Sequence, residues 1–190
     1  GDVYKRQILW SLEQTAEKYA DRVAVSDVNQ ELTWKELVKK AQIIGAELSE
    51  KVQPGNPVPV LLEKSSETLA VMLGIVYAGC FYVPVNPMNP TERLRKIMEK
   101  LDPEVIISDE KGKEQLAAIG NGLENKVMGP EALKTATGTE LSEEQYSRLE
   151  QIQGQWKETD VLYGIFTSGS TGTPLSLIHI SEPTRLALIS

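Results

Sequence analysis

An apolar stretch from Leu69 to Val85 places the strongest constraint on the fold. Gly74, Gly79 and Pro84 interrupt this stretch. It is also shorter than the roughly 20 apolar residues that a membrane-spanning helix needs. A buried helix ending at the second glycine, followed at once by a buried strand, explains it better. The stretch therefore predicts part of a packed core, and we expect no membrane span.

Strands and helices alternate along much of the chain. Short apolar runs predict the strands, and apolar residues at helical spacing predict the helices. The predicted helices cover residues 8–20, 34–48, 65–78 and 91–101, and the predicted strands cover residues 23–25, 31–33, 58–62, 81–85, 105–107 and 161–166. The polar stretch 111–156 reads as a surface excursion with short helices at best. The alternation predicts an α/β sandwich with a largely parallel sheet.

Charge and cysteine content narrow the partners and the compartment. The chain carries 20 basic and 27 acidic residues, a net charge of −7. Because phosphate backbones repel such a chain, we expect no nucleic-acid partner. Cys80 is the single cysteine, so no internal disulfide can form, and we see no signal peptide. These features predict a cytoplasmic protein.

The two ends of the chain are related to each other at the DNA level. A DNA string that encodes residues 2–7 has a reverse complement that encodes residues 175–180. This inverted repeat resembles the end sequence of a transposon used to prepare sequencing libraries. We therefore expect residues 1–7 and 175–190 to be adapter-derived and residues 8–174 to be the biological segment. The only histidine, His179, lies in the tail, so that segment has none for catalysis or metal binding.

The segment 167–174 carries the clearest chemical signal. Its small residues let the backbone pass close to a ligand. Its successive amide N–H groups and hydroxyls can surround an anion. The candidate phosphate-binding residues are Thr167, Ser168, Gly169, Ser170, Thr171 and Gly172. A flexible linker has similar composition, but a predicted buried strand leads into this segment and favours a fixed loop. The loop lacks the Gly-Lys-Ser/Thr ending of the commonest phosphate loop.

Three motifs together carry a resemblance to a known family. The run Tyr163–Pro174 resembles the signature of the adenylate-forming superfamily. The run Leu32–Leu37 resembles the first core motif of its adenylation domains, and Ala78–Arg93 resembles the second. They occur in the family's order and span nearly all of residues 8–174. The resemblance implies the N-terminal part of the large subdomain of such an enzyme. Trp34, Leu37 and Arg93 read as scaffold residues within these motifs.

The resemblance implies an ATP-dependent ligase. In this family a carboxylate attacks the α-phosphate of ATP, and the acyl group then passes to a thiol, usually the phosphopantetheine arm of a carrier protein. Residues 167–172 would hold the β- and γ-phosphates, and Mg²⁺ would share their charge. Leu175 and Ser176 stand where the family has lysine and glycine. The acidic residues for Mg²⁺, the acyl pocket and the mobile lid are missing, so we expect no catalytic residue in this fragment and no activity.

The choice of substrate is less constrained. The Gly-Ser-Thr-Gly form of the loop and the prolines at positions 84, 87 and 90 favour activation of an amino acid. The parent enzyme would then be a peptide-synthetase adenylation domain or a D-alanine–carrier-protein ligase. A fragment of an acyl- or aryl-CoA synthetase is one alternative. A non-catalytic phosphate-binding α/β domain that ends here is the other.

Overall fold

A computed structural model describes residues 4–129, 140–155, 163–166 and 175–178. Its elements, in chain order, are α1 (Tyr4–Lys18), β1 (Val23–Ser26), β2 (Glu31–Thr33), α2 (Trp34–Ser49), β3 (Pro57–Leu61), α3 (Ser66–Tyr77), β4 (Phe81–Pro84), α4 (Thr91–Leu101), β5 (Ile106–Ser108), α5 (Glu110–Ile119), a 3₁₀ turn (Leu123–Lys126), β6 (Val127–Met128), α6 (Glu143–Gly154), β7 (Tyr163–Phe166) and β8 (Leu175–Ile178). Most elements predicted before β6 are confirmed to within about two residues, although α1 begins four residues early. None of the helices described is long and apolar enough to cross a membrane.

The main sheet has the strand order β6-β5-β3-β4-β7-β8. Its first five strands run parallel to their neighbours, and β8 runs antiparallel to β7. Strands β1 and β2 form a separate antiparallel hairpin. The expected α/β fold with a largely parallel sheet is confirmed.

Helices cover both faces of this sheet. Alternate strand residues point to opposite faces, so Val60 packs with α1, α2, α3 and α6, whereas Leu61 packs with α4 and α5. The same division separates Ile107 from Ile106 on β5. Strand β3 is therefore apolar at every position, as expected of a parallel strand whose two faces are both covered.

Glycines allow the close packing of α2 against α3. A Cβ added at Gly74 would lie 2.5 Å from Cγ2 of Ile44 and 2.7 Å from its Cβ. A Cβ added at Gly45 would lie 2.6 Å from Cβ of Tyr77. Neither contact can be relieved by moving the far end of a flexible side chain. The two helices therefore touch at a distance that only glycine permits at these positions.

Local hydrogen bonds decide where helices begin. Thr33 and Glu36 form the predicted capping box, with the Glu36 amide donating to Thr33 Oγ1 at 3.2 Å and the Thr33 amide donating to Glu36 Oε1 at 3.0 Å. Ser65 caps α3 in a similar way by accepting from the Thr68 amide. Helix α4 ends at Leu101, because the next residue, Asp102, adopts a left-handed backbone conformation just before Pro103.

The expectation that residues 111–156 form a surface excursion is wrong for the part of this stretch that the structure describes. Strand β6 extends the main sheet, and α6 buries Leu149 and Ile152 in the core shared with α2 and α3. The described part of this stretch is therefore not a surface excursion. The sequence signal was weak because α6 presents few apolar residues in an otherwise polar run.

Both terminal segments that we attribute to adapter sequence contribute backbone structure. The first turn of α1 starts at Tyr4, and β8 consists of residues 175–178. The adapter origin of these segments stays a prediction, because an extended or helical backbone does not depend on where the codons came from.

Candidate functional site

The candidate phosphate loop lies between β7 and β8. Its residues Thr167, Ser168, Gly169, Ser170, Thr171 and Gly172 lie outside the described residues, so their geometry stays a prediction. The ends of the loop are described: Phe166 pairs with Leu175 in antiparallel register, and Tyr163 pairs with Tyr82 of β4 in parallel register. Paired antiparallel residues lie about 5 Å apart. The two described residues that flank the candidate loop therefore lie close together.

The loop leaves the carboxyl edge of the parallel sheet. Ligands of open α/β sheets bind outside the carboxyl ends of the strands. At this edge, β4 is the strand directly beside β7. The segment that follows β4, residues 85–90, belongs to the second family motif and begins at the same edge of the sheet as the end of β7.

Hydrogen bonds hold the 85–90 segment in place. The Val85 amide donates to the Val60 carbonyl at 3.0 Å, which ties the end of β4 to β3. Asn86 then accepts from the Met88 amide at 2.9 Å through its side chain, and from the Asn89 amide at 3.1 Å through its carbonyl. Pro87 and Pro90 further restrict this segment. It is a hydrogen-bonded turn at the carboxyl end of β4.

Asp27 fixes the start of α3, the next connection along the same edge. One oxygen, Oδ2, accepts from the Ser66 amide at 2.8 Å and from its hydroxyl at 2.7 Å. The other, Oδ1, accepts from the amides of Asn29 at 2.8 Å and Gln30 at 3.0 Å. One carboxylate therefore joins the β1–β2 turn to the N-terminus of a helix in the main sheet layer.

A second link runs beside the first. Gln30 Nε2 donates to Glu67 Oε1 at 2.9 Å, and the Lys40 ammonium of α2 pairs with the same carboxylate. Thr68 donates its hydroxyl to the Glu63 carbonyl, which fixes the turn between β3 and α3. The hairpin, α2 and the start of α3 are thus held together at one corner of the sheet.

Comparison with known proteins decides the family. The sequence matches the AMP-binding enzyme family over residues 12–175, a range that contains the candidate loop and all three motifs. This chain belongs to the AMP-binding enzyme family. It is similar to bacitracin synthase 1 of Bacillus licheniformis, with 34% identity over 163 residues that make up 85% of this chain and 3% of that protein.

Two solved structures share the fold of this chain. VinN in complex with L-aspartate has a TM-score of 0.71 and 24% identity, covering 90% of this chain and 47% of VinN. The AMPPNP-bound form of the nonribosomal peptide synthetase FmoA3 has a TM-score of 0.70 and 22% identity, covering 95% of this chain and 18% of FmoA3. The chain therefore spans less than half the length of each of these relatives.

Two motif residues that are predicted to be scaffold, Trp34 and Leu37, pack in the core of this AMP-binding chain. Leu37 is buried in the core beneath α2, and Trp34 packs partly buried against the same core. Arg93 is half-buried on α4. Among the residues whose placement is described, no group of three or more His, Cys, Asp or Glu side chains lies together as a metal site.

Asp27 and Ser66 are the polar residues that sequence reasoning missed at this edge. Their contact joins positions 39 apart, and no local pattern marks it. The hydrogen bond from the Ser66 amide, then those from its hydroxyl and from the amides of Asn29 and Gln30, hold the pKa of Asp27 well below its ordinary value. The carboxylate is therefore charged throughout the neutral and mildly acidic range.

This pKa shift predicts how stability depends on pH. Because the folded-state pKa is depressed, the contribution of Asp27 is fully present above its unfolded pKa of about 3.9. It is lost as the pH falls through the folded value. An Asp27→Asn variant should therefore be less stable than the parent at pH 7, with the gap closing as the pH falls below about 4. Urea unfolding at pH 7, 4 and 2.5 measures this gap, and a gap of constant size would contradict the assignment.

Proposed function

We propose that this chain is part of an ATP-dependent ligase that activates an amino acid as its aminoacyl-adenylate and passes it to the phosphopantetheine thiol of a carrier protein. The main support for this proposal is the match to the AMP-binding enzyme family over residues 12–175, a range that includes the loop following β7. Similarity to bacitracin synthase 1 and to VinN bound to L-aspartate supports an amino-acid substrate. The AMPPNP-bound relative supports ATP as the nucleotide.

In the proposed reaction the amino-acid carboxylate attacks the α-phosphorus of ATP. A new P–O bond forms to the carboxylate, and the bond to the β-phosphate oxygen breaks, releasing pyrophosphate. Residues 167–172 supply amide and hydroxyl donors to the β- and γ-phosphates as negative charge develops on pyrophosphate. Mg²⁺, when bound to the phosphates, neutralises part of the same charge. This loop offers hydroxyl and amide donors and no carboxylate, a donor set suited to phosphate.

The proposal assigns residues 8–174 to the enzyme and the flanking residues to adapter sequence. Leu175 and Ser176 then replace residues that the enzyme would carry after the loop, and the natural reading frame would continue past Pro174. A stand-alone D-alanine–carrier-protein ligase and a module of a peptide synthetase both fit this chemistry. We propose a cytoplasmic location for it, which the single, buried Cys80 favours.

Titration with inorganic tripolyphosphate tests whether the loop binds phosphate. In ¹⁵N NMR spectra of the 190-residue chain we expect the amides of Gly169 and Gly172 to shift in a saturable way. The Gly154 amide, at the end of α6, should stay in place and serves as the internal control. Sodium chloride of equal ionic strength should produce no such shift. Shifts confined to lysine-rich surfaces, with none in residues 167–172, would contradict the proposed role of the loop.

A further inference from the structure

We propose that Asp27 is a positioning residue for the carboxyl edge of the sheet, and that phosphate binding by the candidate loop depends on this edge. Its carboxylate belongs to the β1–β2 turn and holds the start of α3, which follows the β3–α3 turn. That turn restrains the carboxyl ends of β3 and β4. The ligand-binding part of this inference rests on the proposed function. The positional part rests on the described hydrogen bonds alone.

The position of Asp27 differs from that of an ordinary helix cap. The caps of α2, α5 and α6 come from Thr33, Asp109 and Ser142, each directly preceding its own helix. Helix α3 has such a cap in Ser65, and it receives Asp27 from the β1–β2 hairpin in addition. The second cap therefore does more than satisfy the first turn of α3. It anchors a separate hairpin to this end of the sheet.

Each oxygen of the Asp27 carboxylate binds a different element. Oδ1 accepts only from the hairpin turn, at Asn29 and Gln30, and Oδ2 accepts only from Ser66 among the contacts described. Hydrogen bonds to a charged acceptor are stronger than neutral ones. Any movement of the hairpin is thus transmitted to the first residue of α3. The Gln30–Glu67–Lys40 contacts run beside this link and restrain the same motion.

The start of α3 is connected to the candidate loop through adjacent strands. The turn of residues 62–65 joins α3 to the carboxyl end of β3, and Thr68 holds that turn by its bond to the Glu63 carbonyl. The Val60 carbonyl of β3 accepts from the Val85 amide at the end of β4. Strand β4 pairs directly with β7, from which the loop departs. Hydrogen exchange of the Val85 amide therefore reports on the strand end that lies between Asp27 and the strand that leads into the loop.

Three variants of the full 190-residue chain test this inference. Asp27→Asn keeps the size of the side chain but removes its charge and presents an amide group to the Ser66 donors. Ser66→Ala removes one of the two Ser66 donors and leaves the backbone amide. Asp21→Asn is the matched control, because Asp21 is exposed and makes no side-chain contact among those described. Each variant is first shown by circular dichroism to be folded at the working temperature.

Amide hydrogen exchange and tripolyphosphate affinity are then measured on each variant. We expect Val85 to exchange about tenfold faster in Asp27→Asn, with a smaller increase in Ser66→Ala and none in the control. We also expect the Kd for tripolyphosphate at residues 167–172 to rise severalfold in the same order. Faster exchange confined to Asn29, Gln30 and Ser66, with Val85 and the affinity unchanged, would show a purely local role and overturn the inference.

The two proposals fail in different ways. If the parent chain does not bind tripolyphosphate, the proposed function of the loop is contradicted, and the exchange of Val85 still decides whether Asp27 positions this edge. If the parent chain binds tripolyphosphate and the Asp27→Asn variant binds it equally well with unchanged Val85 exchange, the proposed function stands and the positioning role is overturned.

Discussion

A Gly74→Val variant is expected to lose about 3 kcal/mol of unfolding free energy, the upper part of the range for overpacking a well-filled core. The first added carbon would already lie 2.5 Å from Cγ2 of Ile44 and 3.0 Å from the carbonyl oxygen of Ala41. Neither neighbour is the end of a flexible chain, so α2 and α3 must move apart. Because these helices cover one face of the sheet, the loss should appear as a fall in melting temperature of roughly 10 °C.

Gly154→Val provides the matched control for this substitution. Gly154 lies at the end of α6, and a Cβ added there has nothing within 4 Å. We expect a change of no more than about 0.5 kcal/mol, as for surface substitutions in general. Urea denaturation of both variants and the parent measures the difference. Equal effects of the two substitutions would show that the α2–α3 contact is looser than the structure places it.

The order of elements could be predicted because each strand is a short apolar run with glycine, proline or polar residues at its ends. Gly79 and Pro84 separate α3 from β4 and end β4 in the way the sequence predicts. Thr33 and Glu36 lie only three positions apart, so their capping box is visible in the sequence itself. Information of this kind is local, and local contacts are what a single sequence displays.

Contacts between distant residues could not be predicted. Nothing in the composition of β3 shows that it lies between β4 and β5 in the sheet. The Asp27–Ser66 contact joins a hairpin turn to a helix start 39 positions away, and either residue alone resembles an ordinary turn or cap residue. Helix α6 was missed for a related reason, since Leu149 and Ile152 are buried by α2 and α3 rather than by their own neighbours.

The candidate site was predicted from its motif rather than from geometry. Small residues and hydroxyls at positions 167–172 indicate a phosphate loop, and the family match over residues 12–175 confirms the resemblance that named the superfamily. The structure adds the pairing of Phe166 with Leu175, a residue that we attribute to the adapter, and the turn at Asn86 after β4. The contacts inside the loop stay a prediction.

The other large effect is expected in catalysis. If residues 175–190 are adapter-derived, as proposed, the 190-residue chain should show no exchange of pyrophosphate into ATP, because Leu175 and Ser176 would then replace residues that the enzyme carries after the loop. The longer protein encoded by the natural gene, in which the codons after Pro174 are the native ones, should catalyse exchange that depends on one added amino acid. In that longer protein, Gly169→Val should lower the exchange rate by about 100-fold, because the added side chain would keep the backbone N–H groups from approaching the phosphates and so weaken a donor to developing charge. Gly154→Val should leave the exchange rate unchanged.

Amino-acid-dependent exchange of labelled pyrophosphate into ATP, measured on that longer protein with each common amino acid and D-alanine, tests the central claim most directly. The account predicts exchange with one amino acid or a few close analogues, and none with fatty or aryl acids. Exchange supported only by fatty or aryl acids would contradict activation of an amino acid. A source gene that ends near codon 190 and encodes a protein with no exchange would contradict the assignment to an adenylating enzyme altogether.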